Sequence, residues 1–214
     1  MFNLKLKKLF AKIKIKEDFV IVHSNLVPFN KFKFTSIRGF WDQMNEYFDF
    51  KKTIIMPTFT FNNAAKNLIW DYYKTKSETG ALTEFFRKKI ATRRTLHPLH
   101  SVAIFGPKAK EIPEHRCKSS FGRFSTWEWL ALNKNVCNLS LGIGLEGGAT
   151  ICHYSEEKIG VPYRKYIKLK AIVKNKNGKK EKKLFKYYAR FKKKETNGVN
   201  YWRKCENDLI NSIF

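Results

Sequence analysis

Two short apolar runs, separated by one amphipathic segment, restrict the fold of this chain more than any other feature of its sequence. Residues 18–23 (DFVIVH) and 53–56 (TIIM) have the length and the continuous apolar character of strands buried on both faces. Between them, the apolar residues of segment 35–48 recur at intervals of three and one, which is typical of an amphipathic helix. This order of strand, helix and strand predicts a parallel crossover unit and therefore an α/β fold.

Further strands and helices are predicted in alternation along the chain. The strands are expected at 101–105 and 136–142, and the helices at 80–90, from Ser125 onwards and at 150–158. Segment 62–77 shows little regular pattern and is expected to be a long loop.

The character of the sequence changes after Pro162. Residues 166–173 and 183–190 alternate in the two-residue rhythm of strands, and Asn177-Gly178 between them is the strongest short signal for a β-hairpin. A final helix is expected over 202–214.

Length and composition favour one globular domain. With 214 residues, 43% of them hydrophobic, the chain can bury a core, and we expect a single domain with a core at 1–165 and a basic hairpin and helix at 166–214. No apolar run is long enough to span a membrane, and residues 1–16 lack the pattern of a secretory signal, so we expect a cytoplasmic protein. The cysteines form no C-x-x-C pair, so we expect reduced thiols and no metal site: Cys117, Cys137, Cys152 and Cys205.

The net charge of +25 has two interpretations. It suits a polyanionic partner, such as a nucleic acid, a membrane surface or a phosphorylated small molecule. Lysine, asparagine, isoleucine and phenylalanine are all abundant, however, and an AT-rich coding sequence produces that bias without any ligand. Because no nucleic-acid-binding motif accompanies the lysine-rich stretch 174–194, we interpret it as the solvated face of a hairpin and expect no nucleic-acid partner.

Polar side chains follow or precede the predicted strands directly. His23, Ser24 and Asn25 end the first strand, and the loop before the third strand places two histidines on either side of Pro98. Ligands of open α/β sheets gather at the carboxyl ends of strands. We therefore expect one cleft lined by imidazoles and small polar groups, although histidines without a role in the loop are the alternative.

His153 precedes Glu156 and Glu157 at spacings that place all three on one face of a helix. A carboxylate bonded to one ring nitrogen raises the basicity of the other, which is how a general base is built. A surface ion pair is the alternative. The glycine-rich segment 142–148 before this helix satisfies G-x-G-x-x-G, but it belongs to the last predicted strand–helix unit rather than the first and lacks the acid of a dinucleotide site. It either presents backbone amides to an anion or is a plain strand-to-helix turn.

Six short motifs occur in a fixed order. They are 22–24 (VHS), 56–59 (MPTF), 80–87 (GALTEFFR), 93–107, 141–144 (LGIG) and 150–157 (TICHYSEE). Together they resemble the aminoglycoside 3-N-acetyltransferase family over roughly residues 4–165. The resemblance implies an α/β/α sandwich, here with a C-terminal β-hairpin and helix, and an enzyme that transfers acetyl from acetyl-CoA to a sugar amine.

The resemblance also implies roles for individual residues. His97 matches the histidine of an arginine–x–x–His–Pro motif, and His153 and Glu156 match a His-x-x-Glu pair. We place His97 first as the general base and give His153 and Glu156 orienting or proton-relay roles. The residues expected to contact CoA are His23, Ser24, Asn25, His100 and Ser101.

The charge departs from what the family implies for drug-modifying members. Residues 192–198 (KKKETNG) are basic where acids would help to hold a polycationic aminoglycoside, and the field of the whole chain attracts phosphorylated substrates instead. We therefore expect an amino sugar linked to a nucleotide, used in surface-glycan (polysaccharide) biosynthesis, with CoA as the other partner. Aminoglycoside acetylation and antibiotic resistance are the alternative, and an oligomer is compatible with the sequence. A non-catalytic module for RNA or anionic membranes is a third hypothesis, which rests on charge alone.

Overall fold

The computed structural model describes residues 8–32, 36–65 and 69–190. The basic segment 192–198 and the helix expected over 202–214 lie outside the described residues. The strands are β1 (Phe19–Ser24), β2 (Thr53–Pro57), β3 (Trp70–Asp71), β4 (Arg93–Arg94), β5 (Val102–Phe105), β6 (Val136–Leu141), β7 (Arg164–Lys174) and β8 (Lys180–Arg190). The helices are α1 (Ile37–Tyr47), α2 (Phe61–Ala65), α3 (Ala81–Lys89), α4 (Thr126–Leu132), α5 (Leu145–Gly148) and α6 (Cys152–Ile159).

The central sheet has five strands in the order β4-β5-β2-β1-β6. β1 is parallel to both β2 and β6, which confirms the crossover unit predicted from the first two apolar runs. β5 is antiparallel to β2 and pairs Val102 with Pro57. Because of this reversal, the amino end of β5 lies at the same edge of the sheet as the carboxyl ends of β1, β2 and β6.

Apolar side chains cover both faces of this sheet. Along β1, Val20 and Val22 belong to the core shared with α1 and α3, whereas Phe19 and Ile21 belong to the core that includes Trp127 of α4. Burial on both faces explains why the strand is a continuous apolar run rather than an alternating one. The resulting layers form the α/β/α sandwich that the resemblance implied.

The second sheet has the order β3-β7-β8, and its long hairpin β7–β8 confirms the prediction from Asn177-Gly178. The Asn175 side chain accepts hydrogen bonds from the amides of Asn177 and Lys179, while Gly178 adopts a φ of +80°. Asn175 and Gly178 thereby close the turn between the two strands.

Segment 62–77 is not the loop that the sequence led us to expect. It contains most of α2 and the two-residue strand β3, which pairs with β7 and buries Trp70 completely. Trp70, Val173 and Phe185 form a small third core between the two sheets. A strand of two residues is too short to show a period, so the pattern could not reveal it. Among residues 8–32, 36–65 and 69–190, no helix has both the length and the apolar character needed to cross a membrane.

Candidate active site

The site lies at the edge of the central sheet where β2 ends and β5 begins. The amide of Thr58, just after β2, donates to the carbonyl of Ser101, just before β5, over 2.8 Å. The amide of Thr60 donates to the carbonyl of Leu99 over 3.1 Å. These two bonds extend the pairing of β2 and β5 beyond the strands. They therefore fix the histidine-bearing loop 97–101 against the sheet edge.

Four histidines come together at this edge. The ring of His97 lies 4.5 Å from that of His115 and 5.9 Å from that of His100. The fourth histidine, His153, lies near the others through Phe121, whose ring is 5.0 Å from His100 and 5.4 Å from His153. We call His97, His100, His115 and His153 the histidine cluster. The chain thus brings His97 and His153, which are far apart in sequence, to one side of the sheet.

His97 is completely buried and its hydrogen bonds define its tautomer. Nδ1 accepts from the amides of Leu99, at 3.1 Å, and His100, at 2.8 Å, so these bonds assign the ring proton to Nε2. Burial lowers the pKa of His97 far below its ordinary value, and the neighbouring His115 and His100 lower the pKa further. His97 is therefore neutral near pH 7.

His115 carries its ring proton on Nε2, which donates to the carbonyl of Ser119 over 2.8 Å. Burial lowers the pKa of His115 to about 4. The sequence offered no reason to select this residue, because it lies in a segment without a recognisable motif. It joins the cluster through the packing of that segment against His97.

His100 is buried beside Ser120, whose hydroxyl lies 2.6 Å from Nδ1. Burial lowers the pKa of His100 far below its ordinary value, and His153, His115 and Arg164 act in the same direction through their charge. His100 therefore stays neutral and does not share the acid–base role of a more exposed imidazole.

Ser101 lies beneath the site rather than at its surface. Its hydroxyl donates to the carbonyl of Thr58 over 2.9 Å and accepts from Arg94 Nε at 3.1 Å. Arg94 also lies over the ring of Trp70, 4.6 Å from its centroid. The hydroxyl thus belongs to an interior network that links the two sheets.

His153 and Glu156, one helical turn apart on α6, form a hydrogen-bonded pair. His153 Nδ1 bonds to Glu156 Oε2, and Arg164 Nη2 lies 3.0 Å from the same carboxylate oxygen. The hydroxyl of Tyr163 donates to Glu156 Oε1 over 2.9 Å. The His153 side chain retains 29% exposure, against 14% for Glu156, so the ring is the accessible member of the pair.

The surroundings of Glu156 favour its ionised form. Burial by itself would raise the pKa of this carboxyl, but the hydrogen bond and charge of His153, the charge of Arg164 and the bond from Tyr163 outweigh it. The pKa of Glu156 therefore lies below its ordinary value. An ionised carboxylate can only accept, so the bond to Glu156 assigns the ring proton of His153 to Nδ1 and leaves the lone pair on Nε2, although Arg164 Nη2 also lies 3.2 Å from Nδ1.

Glu157, the other carboxylate after His153, points elsewhere. It accepts hydrogen bonds from the hydroxyls of Ser119 and Tyr166, the latter over 3.2 Å. Helical spacing alone allowed either carboxylate to face the imidazole. The structure selects Glu156.

The group at the end of β1 is separate from the histidine cluster. Burial lowers the pKa of His23 to about 4, and Asn25 uses its side chain to accept from the amide of Val27 at 3.0 Å. The amide of Asn25 donates to the carbonyl of Leu141 over 2.8 Å. In the described part of the chain, no hydrogen bond or ring contact joins His23, Ser24 or Asn25 to the cluster.

The glycine-rich segment 142–148 is a tightly packed turn. Gly142 adopts a φ of +67°, and a Cβ there would lie 2.4 Å from the carbonyl oxygen of Asn25. A Cβ on Gly148 would lie 2.1 Å from Ser140 Oγ. The amides of Gly147 and Gly148 both donate to the carbonyl of Gly144, at 3.2 and 2.9 Å. These observations support the plain strand-to-helix turn rather than a turn that presents those two amides to a ligand.

Reasoning from sequence missed several residues that shape the site. They come from three separate stretches of the chain, the segment before α4, the residues around the start of β7, and β8: His115, Ser120, Phe121, Tyr163, Arg164, Phe185 and Tyr187.

Solved structures share this fold. The YokD protein from Bacillus subtilis matches with a TM-score of 0.69 and 19% identity, over 88% of this chain and 82% of that one. Sisomicin-bound AAC-VIa matches with a TM-score of 0.70 and 18% identity, over 88% and 76%. AAC-IIIb in a binary complex with CoASH matches with a TM-score of 0.69 and 15% identity, over 88% and 76%. The fold is therefore that of the AAC class of acetyltransferases.

The profile of the family described as aminoglycoside 3-N-acetyltransferase matches residues 21–209. Because this match spans most of the sequence, the chain belongs to the aminoglycoside 3-N-acetyltransferase family, as the six motifs suggested. The family makes it an N-acetyltransferase with acetyl-CoA as the acyl donor. A comparison with curated protein sequences gave no match.

Proposed function

We propose that this enzyme acetylates the amine of a nucleotide-linked amino sugar, in the cytoplasm and for surface-glycan synthesis, by direct transfer from acetyl-CoA. The observation that supports the chemistry is the His153–Glu156 pair, which Arg164 and Tyr163 hold at the edge of the buried histidine cluster. This geometry supplies what an acyl transfer to an amine requires, an imidazole with one nitrogen open and the other bonded to a carboxylate.

The proposed reaction is one nucleophilic displacement. The amine nitrogen attacks the thioester carbonyl and forms the amide bond, while its proton passes to Nε2 of His153. The bond between carbonyl carbon and sulfur breaks, and the departing CoA thiolate takes that proton from the His153 imidazolium, leaves as the free thiol and regenerates the neutral base. No acyl-enzyme forms, and Glu156 stabilises the imidazolium that exists during transfer.

The geometry favours His153 over His97 as the base, although sequence reasoning ranked His97 first. His97 Nδ1 is occupied by two backbone amides, and its Nε2 already carries the proton, so the neutral ring offers no free lone pair. His153 is partly exposed and its Nδ1 bonds to Glu156. We assign His97 a positioning role, in which it orders the loop that carries His100.

We keep His23, Ser24, Asn25, His100 and Ser101 as the proposed CoA side of the site. The first three lie at or just after the carboxyl end of β1, and the last two precede the amino end of β5 at the same edge of the sheet. The buried Ser101 hydroxyl would then act through the loop rather than by direct contact. We treat the core and hairpin as one functional domain, because Phe185 and Tyr187 of β8 contact His97 and His100.

Charge supports the choice of a nucleotide-linked acceptor. The two carboxylates of α6 are poorly placed to hold a polycationic aminoglycoside. Glu156 bonds to His153 and Arg164, and Glu157 is buried, with Oε1 bonded to Ser119 and Tyr166 and Oε2 without a hydrogen-bond partner among the described residues. The net charge of +25 attracts a diphosphate and repels a drug that bears several ammonium groups.

The second candidate is aminoglycoside 3-N-acetylation, which would confer antibiotic resistance. The family match supports it, as does the likeness in fold to the sisomicin-bound AAC-VIa. A panel of acceptors separates the two candidates, with release of CoA thiol as the readout. We expect turnover with nucleoside-diphosphate amino sugars and little with kanamycin-class drugs. Turnover with kanamycin-class drugs and little with the sugar nucleotides would instead identify an aminoglycoside as the acceptor.

The base assignment is tested by His153→Gln. We expect kcat to fall about 10²- to 10⁴-fold, because general-base catalysis contributes about that factor, while CoA binding measured by calorimetry is retained. His97→Asn is the matched variant, since its amide oxygen can still accept from the two loop amides. Near-full turnover in the His153 variant, with loss in the His97 variant, would return the role of base to His97.

A further inference from the structure

The distal half of hairpin β7–β8 exposes a face composed mainly of lysines. The strand register pairs Lys168 with Lys186, Lys170 with Leu184, Ile172 with Lys182 and Lys174 with Lys180, so all these side chains lie on the same face. The opposite face of this half buries Val173 and Phe185 against Trp70. We call the exposed lysines of this surface the basic face: Lys168, Lys170, Lys180, Lys182 and Lys186.

These lysines are not neutralised within the protein. None of the five has an ion-pair partner among the residues that the structure describes, whereas the neighbouring Lys174 pairs with Asp71 at 3.1 Å. Glu181, which is the one acid among the twenty-seven residues of 164–190, lies on the other face and pairs with Lys179 and Lys183.

Repulsion among the lysines of the basic face destabilises the hairpin in the isolated protein. Lys168 and Lys186 lie directly opposite each other across the two strands, and like charges in that position destabilise a hairpin. An anionic surface in contact with this face would remove the repulsion and gain five favourable charge interactions at once.

Two aliphatic side chains interrupt the lysines. Leu184 is 38% exposed and lies opposite Lys170, and Ile172 lies opposite Lys182. Aliphatic groups among ammonium groups suit a lipid surface, where apolar side chains enter the headgroup boundary while lysines remain at the phosphates.

We propose that the basic face docks this enzyme on a membrane surface that contains anionic phospholipids. RNA is the competing partner, but recognition of single strands relies on arginine forks and on rings that stack on bases. The cations of the basic face are all lysines. Of the tyrosines on this side of the hairpin, Tyr188 is buried, and Tyr166 bonds to Glu157 through its hydroxyl while the Lys186 ammonium lies 5.5 Å from its ring centroid. The inference concerns location and does not depend on which acceptor the enzyme uses.

Cosedimentation of the full chain with vesicles tests the proposal. We expect binding to phosphatidylcholine vesicles that contain 30% phosphatidylserine, little binding to phosphatidylcholine alone, and loss of binding as salt is raised. The variant K168Q/K170Q/K182Q should bind about 100-fold more weakly, since each lysine near such a surface contributes about fivefold. Leu184→Gln should weaken binding about threefold at unchanged charge.

The control variant K88Q/K89Q/K134Q removes the same charge from exposed lysines of α3 and of the turn before β6. We expect it to bind within about threefold of the unmodified protein. Circular dichroism and turnover with acetyl-CoA verify that each variant is folded. Equal losses in both triple variants, or equal binding to neutral and anionic vesicles, would overturn the proposal. If the protein bound a single-stranded RNA more tightly than the anionic vesicles, and K168Q/K170Q/K182Q abolished that binding, RNA rather than a lipid surface would be the partner of the basic face.

Discussion

Arg164 supports the proposed base from outside α6. Its Nη2 lies 3.0 Å from Glu156 Oε2, and its Nη1 donates to the carbonyl of Tyr188 over 3.1 Å. The guanidinium therefore links the carboxylate of the site to the hairpin. Its charge is also one of the causes that keep the pKa of Glu156 below the ordinary value.

Replacing Arg164 with Gln should move the acid limb of the pH–rate profile. Loss of the positive neighbour raises the pKa of Glu156. The carboxylate is then protonated at a higher pH than in the unmodified enzyme, and activity is lost at that higher pH. We expect kcat at pH 7 to fall about tenfold, since the loss of one supporting group typically costs 10- to 100-fold. Thiol release measured from pH 4 to 8.5, with circular dichroism at each pH to verify folding, gives the profile, because the pKa of Glu156 lies below its ordinary carboxyl value.

Arg164→Lys is the matched variant, because it keeps the charge and loses the planar fork. Its acid limb should stay close to that of the unmodified enzyme even if kcat falls. An unshifted limb in Arg164→Gln would show that Arg164 supports the hairpin rather than the carboxylate.

At the scale of residues, short-range spacing predicted part of the site and could not predict the rest. The three-residue spacing of His153 and Glu156 anticipated a pair that the structure forms. The same reasoning could not exclude Glu157, because a spacing of four suits a helix equally well. His115 and Arg164 reach the site only through long-range packing, which no local pattern encodes.

At the scale of elements, the direction of β5 decides where the histidines lie. The apolar run predicted a strand at this place but could not give its direction, since parallel and antiparallel strands share the same buried pattern. Antiparallel pairing with β2 brings loop 97–101, which precedes the strand, to the edge where β1, β2 and β6 end. A parallel β5 would have placed that loop at the opposite edge.

The contact between the end of β6 and the loop after β1 depends on Gly142. Gly142→Ala should lower the free energy of unfolding by about 3 kcal/mol, because it combines a left-handed φ of +67° with a Cβ 2.4 Å from the Asn25 carbonyl oxygen. Urea unfolding followed by fluorescence measures the loss.

Gly160→Ala separates the two causes. Gly160 has a φ of +75°, but nothing lies within 4 Å of the added Cβ. We expect a loss of about 1 kcal/mol there, from conformation alone. Similar losses at both positions would show that close approach at Gly142 is unimportant.

At the scale of the whole molecule, buried neutral histidines should make the protein sensitive to acid. Burial lowers the pKa of His23 and His115 to about 4, and the pKa values of His97 and His100 lie far below the ordinary value. Below pH 6.5 the unfolded chain takes up protons at these rings and the folded chain does not, so stability falls as pH falls from 6.5 towards 4.

The slope of this loss is large enough to measure. Each such histidine contributes up to about 1.4 kcal/mol per pH unit, so the four together give about 5 kcal/mol per unit near pH 5. Urea midpoints between pH 7.5 and 5 test it, and His115→Gln should reduce the slope by about a quarter. A stability that is constant from pH 6.5 to 5 would contradict the buried, neutral state of these four histidines.

The contacts of β8 with the histidines couple the position of the hairpin to protonation. Phe185 lies 5.1 Å from His97, and Tyr187 lies 5.5 Å from His100. If the hairpin separated from the central sheet, water would reach both imidazoles and their pKa values would return towards 6.5. Docking of one sheet on the other is therefore accompanied by proton release in mildly acidic solution, and acidification favours their separation.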